Sequence, residues 1–457
     1  MLRAGVGRAT ITPPLEAGLA GYGIYLHRKA RWVHDDLTAR VLMLDDGLKR
    51  VALVACDLVG LDEWLAHAIR AEVRRVTKAR DEEIVLACIH THTGPTATFM
   101  RGWGEVDRGH LEVLPKLVGS AAWAALEGMV DVEVGAGSGE HSDLAWNRTR
   151  TEEGHIDPDV PVWAFRAKDD GRLVATVISY ACHPVMLGPK PVISADYVWA
   201  TRLQVEEEVG GTCLFFTGAC GDIDPVSNSK AWGKADFDRV ERDGRALGMK
   251  AAEVVRGMEF GDVGLKLWAR RVELPLRVPG PGEEEAFFEE VKEFAAPQGV
   301  LEQENDMARR QWLARMAMFR GWESERWLEL MEAWYPGEIV WTDEGWAPAW
   351  RKDGGHPGVL RVAFRAVALG DSALVAVPGE VFSRIGKAVK EVSPFRPTFF
   401  VGYADRYIGY IPTREDFQIK SYASSFVPFL SDLFPYREDV GEVMVREAAG
   451  LLEEMRR

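Results

Sequence analysis

The 457-residue chain carries 55 Lys and Arg against 70 Asp and Glu, a formal net charge of −15 at pH 7. A nucleic-acid-binding face normally needs a basic surplus, so that class is excluded. A composition of 47% hydrophobic and 27% charged residues belongs to a folded globular chain. The longest apolar runs, such as Val51 to Cys56 and Val174 to Cys182, are of strand length and too short to span a bilayer.

At the N-terminus, MLRAGVGRATITPP has an early arginine but no apolar run followed by a cleavage site, so the chain is expected to work in the cytoplasm. Val51–Cys56 then reads as a strand. Leu61–Thr77 reads as an amphipathic helix, with Leu61, Trp64, Leu65, Ala68, Ile69, Val73 and Val76 at three-to-four spacing. Ile84–Ile89 is a second buried strand, and the pattern recurs at Val174–Tyr180, Cys213–Phe216 and Leu374–Val377. Such alternation predicts an α/β fold of mixed, buried β-sheets flanked by helices.

Pro279-Gly280-Pro281-Gly282 interrupts this pattern, and the following stretch to about residue 350 is charged, Trp-rich and helical in period. It reads as a helical insertion whose Trp and Met stripe is packing surface, with a lid or an oligomer interface as other uses. From Gly358 the α/β pattern resumes and ends in a helix at Gly441–Met455. The five cysteines are odd in number, form no Cys-x-x-Cys, and fit small buried hydrophobes in a reducing compartment. Cys220 alone sits in a Gly-rich loop, where a nucleophile is conceivable, although no base lies near it in sequence.

The chemistry-bearing residues fall at strand ends. Ile84–Ile89 runs into His90-Thr91-His92-Thr93-Gly94-Pro95; if the chain stays extended there, His90 and His92 face one site. Val174–Tyr180 runs into Cys182-His183-Pro184, Cys213–Phe216 into Gly218-Ala219-Cys220-Gly221-Asp222-Ile223-Asp224-Pro225, and Leu374–Val377 into Pro378-Gly379-Glu380. Thr398–Val401 leads on towards Tyr407-Ile408-Gly409-Tyr410. Ligands of α/β sheets collect beyond the carboxyl ends of strands. A His-x-His element, a distant third histidine and a carboxylate form a ligand set suited to a divalent metal, most simply zinc. The other seven of the ten histidines have no comparable setting.

Taken together, GVGRATITPP with AGYG, IHTHTGP, WNRT, SYACHP, ISADY, GACGDIDP, VPGE and YIGYIPTREDF resemble, in order, the catalytic domain of the neutral ceramidase family, from Val6 to about Tyr422. The resemblance implies a zinc centre held by His90, His183, Glu380 and a tyrosine, Tyr410. It also implies that His92 and Arg148 face the scissile amide. Zinc would acidify water and polarise the carbonyl, His92 would move protons, and Arg148 with Tyr410 would stabilise an oxyanion. Asn147-Arg148-Thr149 is formally a glycosylation sequon, discounted in a chain without an export signal.

The family's Gly-Asp-x-Ser-Pro serine is replaced here by Asp224, which excludes a serine acyl-enzyme at that position. Asp222 and Asp224 are left with three roles: orienting a ligand histidine, binding substrate, or capping the next helix. The family's C-terminal β-sandwich domain is not expected, so residues 1–457 read as one catalytic domain. The resulting expectation is a cytoplasmic zinc hydrolase that cleaves an amide or ester in a soluble small molecule, without a stable membrane anchor and without nucleic acid. A true ceramidase or N-acyl-lipid amidase, a lyase or isomerase using Asp224 as acid or base, and a non-catalytic metal-binding protein are the alternatives.

Overall fold

The computed structural model describes residues 1–22, 28–98, 107–149, 154–230, 233–277, 283, 286, 358–419, 421–430 and 435–457. The segment read as a helical insertion and oligomer surface lies almost wholly outside them. The chain divides into two compact units, Met1–Val272 with Ala363–Ile408 and Met444–Arg457, and Glu273–Val362 with Gly409–Val443.

Along the chain the strands run in the order β1 (Arg3–Thr10), β2 (Trp32–Val33), β3 (Thr38–Asp45), β4 (Arg50–Cys56), β5 (Ile84–Cys88), β6 (Val130–Glu140), β7 (Ala145–Asn147), β8 (Asp159–Ala167) and β9 (Leu173–Tyr180). They continue with β10 (Val192–Ile193), β11 (Thr212–Thr217), β12 (Ile223–Pro225), β13 (Leu265–Pro275), β14 (Val359–Leu369), β15 (Ser372–Ala376), β16 (Glu380–Val381) and β17 (Thr398–Val401). An eight-stranded mixed sheet has the order β11-β9-β8-β6-β1-β3-β4-β5, and a four-stranded sheet the order β13-β14-β15-β17. The outermost pairs of the large sheet, β4 with β5 and β9 with β11, are parallel, while β3 pairs antiparallel with β1 and β4.

The period of two along these strands divides their side chains between two cores. Ala52, Val54, Cys56, Leu86 and Cys88 face one core, shared with helices α1 (Glu63–Thr77) and α2 (Arg108–Glu127). Val51, Leu53, Ala55, Val85 and Ala87 face the other, shared with Val367, Leu374 and Phe399 of the smaller sheet. With both faces covered, the strands read as continuous apolar runs instead of alternating ones. Helices α3 (Tyr197–Val209) and α4 (Phe237–Arg256) cover the same face as α1 and α2, and α5 (Ser383–Val392) follows β16. Strand β1 approaches α2 backbone to backbone. A Cβ on Gly5 or Gly7 would lie 2.1 Å from the carbonyl oxygens of Ala125 and Ala121, a distance only glycine permits.

The two edges of the large sheet, β5 and β11, come together at their carboxyl ends. The Thr217 hydroxyl donates to the Ile89 carbonyl at 2.6 Å. The chain leaving β17 stitches the same edges, since the Gly402 amide donates to Thr217 O at 3.0 Å and the Cys88 amide to Tyr403 O at 3.1 Å. Loops from opposite ends of the strand order therefore share one location.

The second unit contains a short strand, Tyr410–Ile411, a helix, Arg414–Gln418, and a π-helical turn, Tyr422–Phe426, capped by the Ser421 side chain. Leu276 bridges to Tyr436, and Arg414 pairs with Glu438 and Glu442 at 3.0 and 2.8 Å. Among the described residues, no helix is long and apolar enough to cross a membrane.

A buried ion pair ties α3 to the end of β4. Arg202, 1% exposed, donates both terminal nitrogens to Asp57 at 2.6 and 2.8 Å, and Asp57 also accepts from the Thr38 amide and hydroxyl. Removing one partner of such a pair leaves a buried charge uncompensated and costs about 3–5 kcal/mol. Arg202→Met should therefore lower the urea midpoint by an amount equivalent to about 3 kcal/mol or more; a change below ~1 kcal/mol would show that Asp57 is compensated by other groups.

Candidate metal centre

His90, His92 and His183 are brought together as a buried cluster whose ligand atoms all lie within 4.8 Å of one another. His90 Nε2 is 3.0 Å from His92 Nε2. Glu380, 0% exposed, places Oε2 3.0 Å from His183 Nε2 and 3.2 Å from His90 Nε2. The histidines follow β5 and β9, and Glu380 begins β16 after β15, so the strand-end placement expected from sequence is borne out.

The local reason for the His90–His92 convergence differs from the expected one. β5 stops at Cys88, and His90 has φ +67°. Its backbone is left-handed, which for a non-glycine residue persists only where the surroundings over-determine it. The His90 amide donates to Leu58 O at 2.9 Å, and Tyr403 stacks on its ring at 4.1 Å. Adjacent imidazoles thus meet because the chain turns left at His90, not because a strand alternates.

Hydrogen bonds to the backbone fix the tautomers. His90 Nδ1 lies 2.5 Å from Val59 O, and His183 Nδ1 lies 2.7 Å from Cys220 O and 3.1 Å from Ile223 O. A carbonyl only accepts, so each Nδ1 carries a proton, and in a neutral ring the inward Nε2 is then a lone pair. Burial, followed by the nearby Arg148 charge, holds His183 below its ordinary pKa and therefore neutral at pH 7. In the neutral form of both rings, two Nε2 lone pairs face the Glu380 carboxylate oxygen. This donor set suits a bound cation, and the carbonyl-anchored imidazole is the usual support of a metal-ligating histidine.

The Tyr407 hydroxyl donates to Glu380 Oε1 at 2.6 Å. This contact is not legible in YIGY, from which the second tyrosine was chosen. Tyr410 lies in the second unit, buried on its short strand, with its ring 6.0 Å from that of Tyr422. Tyr403, also missed, donates or accepts at Cys220 Sγ, 3.1 Å away.

Asp222 and Asp224 have separate tasks. Asp222, 0% exposed, accepts from the Ser383 amide at 2.6 Å, the Ser383 hydroxyl at 2.8 Å and Asn147 Nδ2 at 2.8 Å. It caps α5 from a distant loop and so fixes the chain just after Glu380. A Cβ on Gly221 would lie 2.4 Å from Glu380 O, so the two loops pack backbone to backbone. Asp224 accepts from Arg148 Nη1 at 3.2 Å, and Arg148 Nη2 donates to Gly221 O at 2.8 Å. Asn147 is 4% exposed and donates to both Asp222 and His155 O, so it is a structural residue of the site.

His92, 7% exposed, packs its ring 5.1 Å from Tyr22, and its carbonyl accepts from Arg28 at 2.5 Å. Arg28 also lies 4.6 Å over the Tyr22 ring, and burial pulls its pKa down to about 10. Burial holds His92 well below its ordinary pKa. Cys220 is fully buried and its thiol is pushed well up, which removes the thiolate that a nucleophile needs.

No family model matches the sequence. Among solved structures the chain is similar to the neutral ceramidase from Pseudomonas aeruginosa, with a TM-score of 0.70 and 21% identity over 99% of this chain and 75% of that one. It is also similar to a ceramidase complexed with C2, with a TM-score of 0.71 and 19% identity over 100% and 75%. The fold is thus neutral-ceramidase-like, as the sequence motifs led us to expect.

The donor set makes a quantitative demand. Protein purified without chelator should carry about one zinc or similar divalent ion per chain by elemental analysis, and His183→Ala should lose it. A metal-free wild type that also takes up no added zinc would contradict the ligand assignment.

Proposed function

We propose that the protein is a zinc-dependent hydrolase that cleaves an amide or ester bond, with His90, His183, Glu380 and a tyrosine as the metal's ligands. The observation that carries this reading is the pair of tautomer-fixed imidazoles facing the buried Glu380 carboxylate. The fold shared with ceramidases supports hydrolysis over other metal chemistry. The ion, when bound, would supply Lewis-acid polarisation of the scissile carbonyl and lower the pKa of water.

The chain's own residues supply the rest. His92, neutral and beside His90, accepts a proton as general base and returns it to the leaving group. Arg148, kept in place by Asp224 and Gly221 O, offers a fixed cationic donor for charge that develops on the carbonyl oxygen. Asp224 thereby acts by orienting Arg148. Tyr407 supports Glu380 through its hydroxyl, and Tyr410 remains the tyrosine that the sequence resemblance selects. The cytoplasm is the proposed compartment. The substrate is proposed to be a soluble N-acyl compound or ester, and a ceramide or other N-acyl lipid is the second reading, favoured by the ceramidase fold.

Hydrolysis of short- and long-chain N-acyl amides by the zinc-loaded protein tests this directly. His92→Ala should lower kcat by about 10²–10⁴-fold while zinc remains bound; unchanged turnover would remove His92 from the chemistry, and no hydrolysis of any amide or ester would defeat the proposal.

The two tyrosines separate in a second experiment. Tyr407→Phe should lower kcat/KM and weaken zinc binding by roughly 10–100-fold. An effect confined to Tyr410→Phe would return the ligand role to the tyrosine chosen from sequence.

A further inference from the structure

The segment Gly402–Tyr407 is a strap that carries both tyrosines of the centre. It runs beside the end of β5, where the Asp405 amide donates to Leu86 O at 2.8 Å, and beside the end of β15, where the Tyr403 and Ala404 amides donate to Gly379 O and Val377 O at 3.1 Å each. The Tyr407 amide donates to Leu61 O at 2.8 Å. Tyr403 and Asp405 both have φ +55°. Two left-handed non-glycine residues within three positions, one of them a bulky tyrosine, constitute stored backbone strain. Something around the strap must hold it.

Asp405 is the residue through which it is held. Its Oδ1 accepts from Arg70 Nη1 at 2.7 Å, and its Oδ2 accepts from Arg365 Nη1. Arg70 projects from α1 and is 3% exposed; Arg365 projects from β14 and is 6% exposed. The carboxylate therefore clamps the strap between the helical layer and the second sheet. Asp81 completes the charge balance, accepting from Arg70 Nε and Nη2 at 3.1 and 2.9 Å and lying 3.6 Å from Arg365, but its side chain is 52% exposed and it touches no strap residue in these pairs. Arg406 adds an ion pair to Glu63 at 2.7 Å.

We propose that Asp405, gripped by Arg70 and Arg365, is a positioning residue that sets Tyr403 against His90 and Tyr407 against Glu380, and through them the affinity of the centre for its cation. The proposal rests on the metal reading above. Its physical basis is that residues supporting a ligand's orientation typically change metal affinity by about 10–100-fold when removed, and that Asp405 sits two residues from each tyrosine on a backbone that would otherwise relax.

The experiment compares Asp405→Asn with Asp81→Asn. Both remove one negative charge from the same cluster, and Asn tolerates the left-handed backbone at position 405. Zinc affinity is measured by competition with a chromophoric chelator, together with the thermal midpoint and with kcat and KM on an N-acyl amide. Asp405→Asn is expected to weaken zinc by about 10-fold or more and lower kcat with KM changed less than about twofold, while Asp81→Asn leaves zinc affinity within about twofold of wild type. Should Asp405→Asn fail to fold, Arg365→Lys, which keeps the charge but changes the grip, is expected to give the same loss of zinc affinity at smaller amplitude. Wild-type affinity in Asp405→Asn, or equal weakening by both Asn variants, overturns the positioning role. A wild type that binds no zinc removes the metal reading, and the proposal with it.

Discussion

The site depends on one electrostatic constraint: a buried carboxylate, Glu380, faces two imidazole nitrogens that present lone pairs whenever their rings are neutral. The constraint arises in the backbone. Val59, Cys220 and Ile223 carbonyls occupy the Nδ1 protons of His90 and His183, so in the neutral rings the inward nitrogens are lone pairs. In a water-excluded interior, like-signed electron density at about 3 Å is costly unless a cation lies among it. The rest of the site can be understood as what holds this unfavourable arrangement ready.

That holding is distributed over the first unit. The curl of the large sheet brings the ends of β5 and β11 together, so loops far apart in strand order supply His90 and the carbonyls that anchor His183. Asp222 caps α5 and joins the loop after β11 to the one that bears Glu380, and the absence of a side chain at Gly221 lets the two backbones touch. The strap from Gly402 closes the same seam and delivers Tyr403 and Tyr407. Each support acts from a different chain segment, which is why the centre can tolerate left-handed backbone at His90, Tyr403 and Asp405.

Much of this was legible in the sequence because buried strands announce themselves as apolar runs and because function collects at their ends. Strand-end logic brought His90, His92, His183 and Glu380 forward together, while the choice of ligands among them and the ceramidase-like fold came from the run of motifs. What stayed hidden depends on long-range geometry. His-x-His suggested an extended chain, whereas a single positive φ turns the rings together. YIGY offered two tyrosines, and only the fold shows that Tyr407 meets Glu380. The pairs Arg28 with His92 O and Arg70 with Asp405 link residues 64 and 335 positions apart, a relation that no local pattern encodes. Asp222 and Asp224, equivalent as letters in one motif, separate into a helix cap and an arginine anchor only when their partners are known.

Anomalous diffraction from crystals of the zinc-loaded protein, collected on either side of the zinc absorption edge, tests the central claim most directly. The account predicts one strong peak at bonding distance, about 2.0–2.2 Å, from His90 Nε2, His183 Nε2 and a Glu380 oxygen. A zinc peak bound elsewhere, or a Glu380 carboxylate found hydrogen-bonded to protonated histidines with no ion between them, would contradict it.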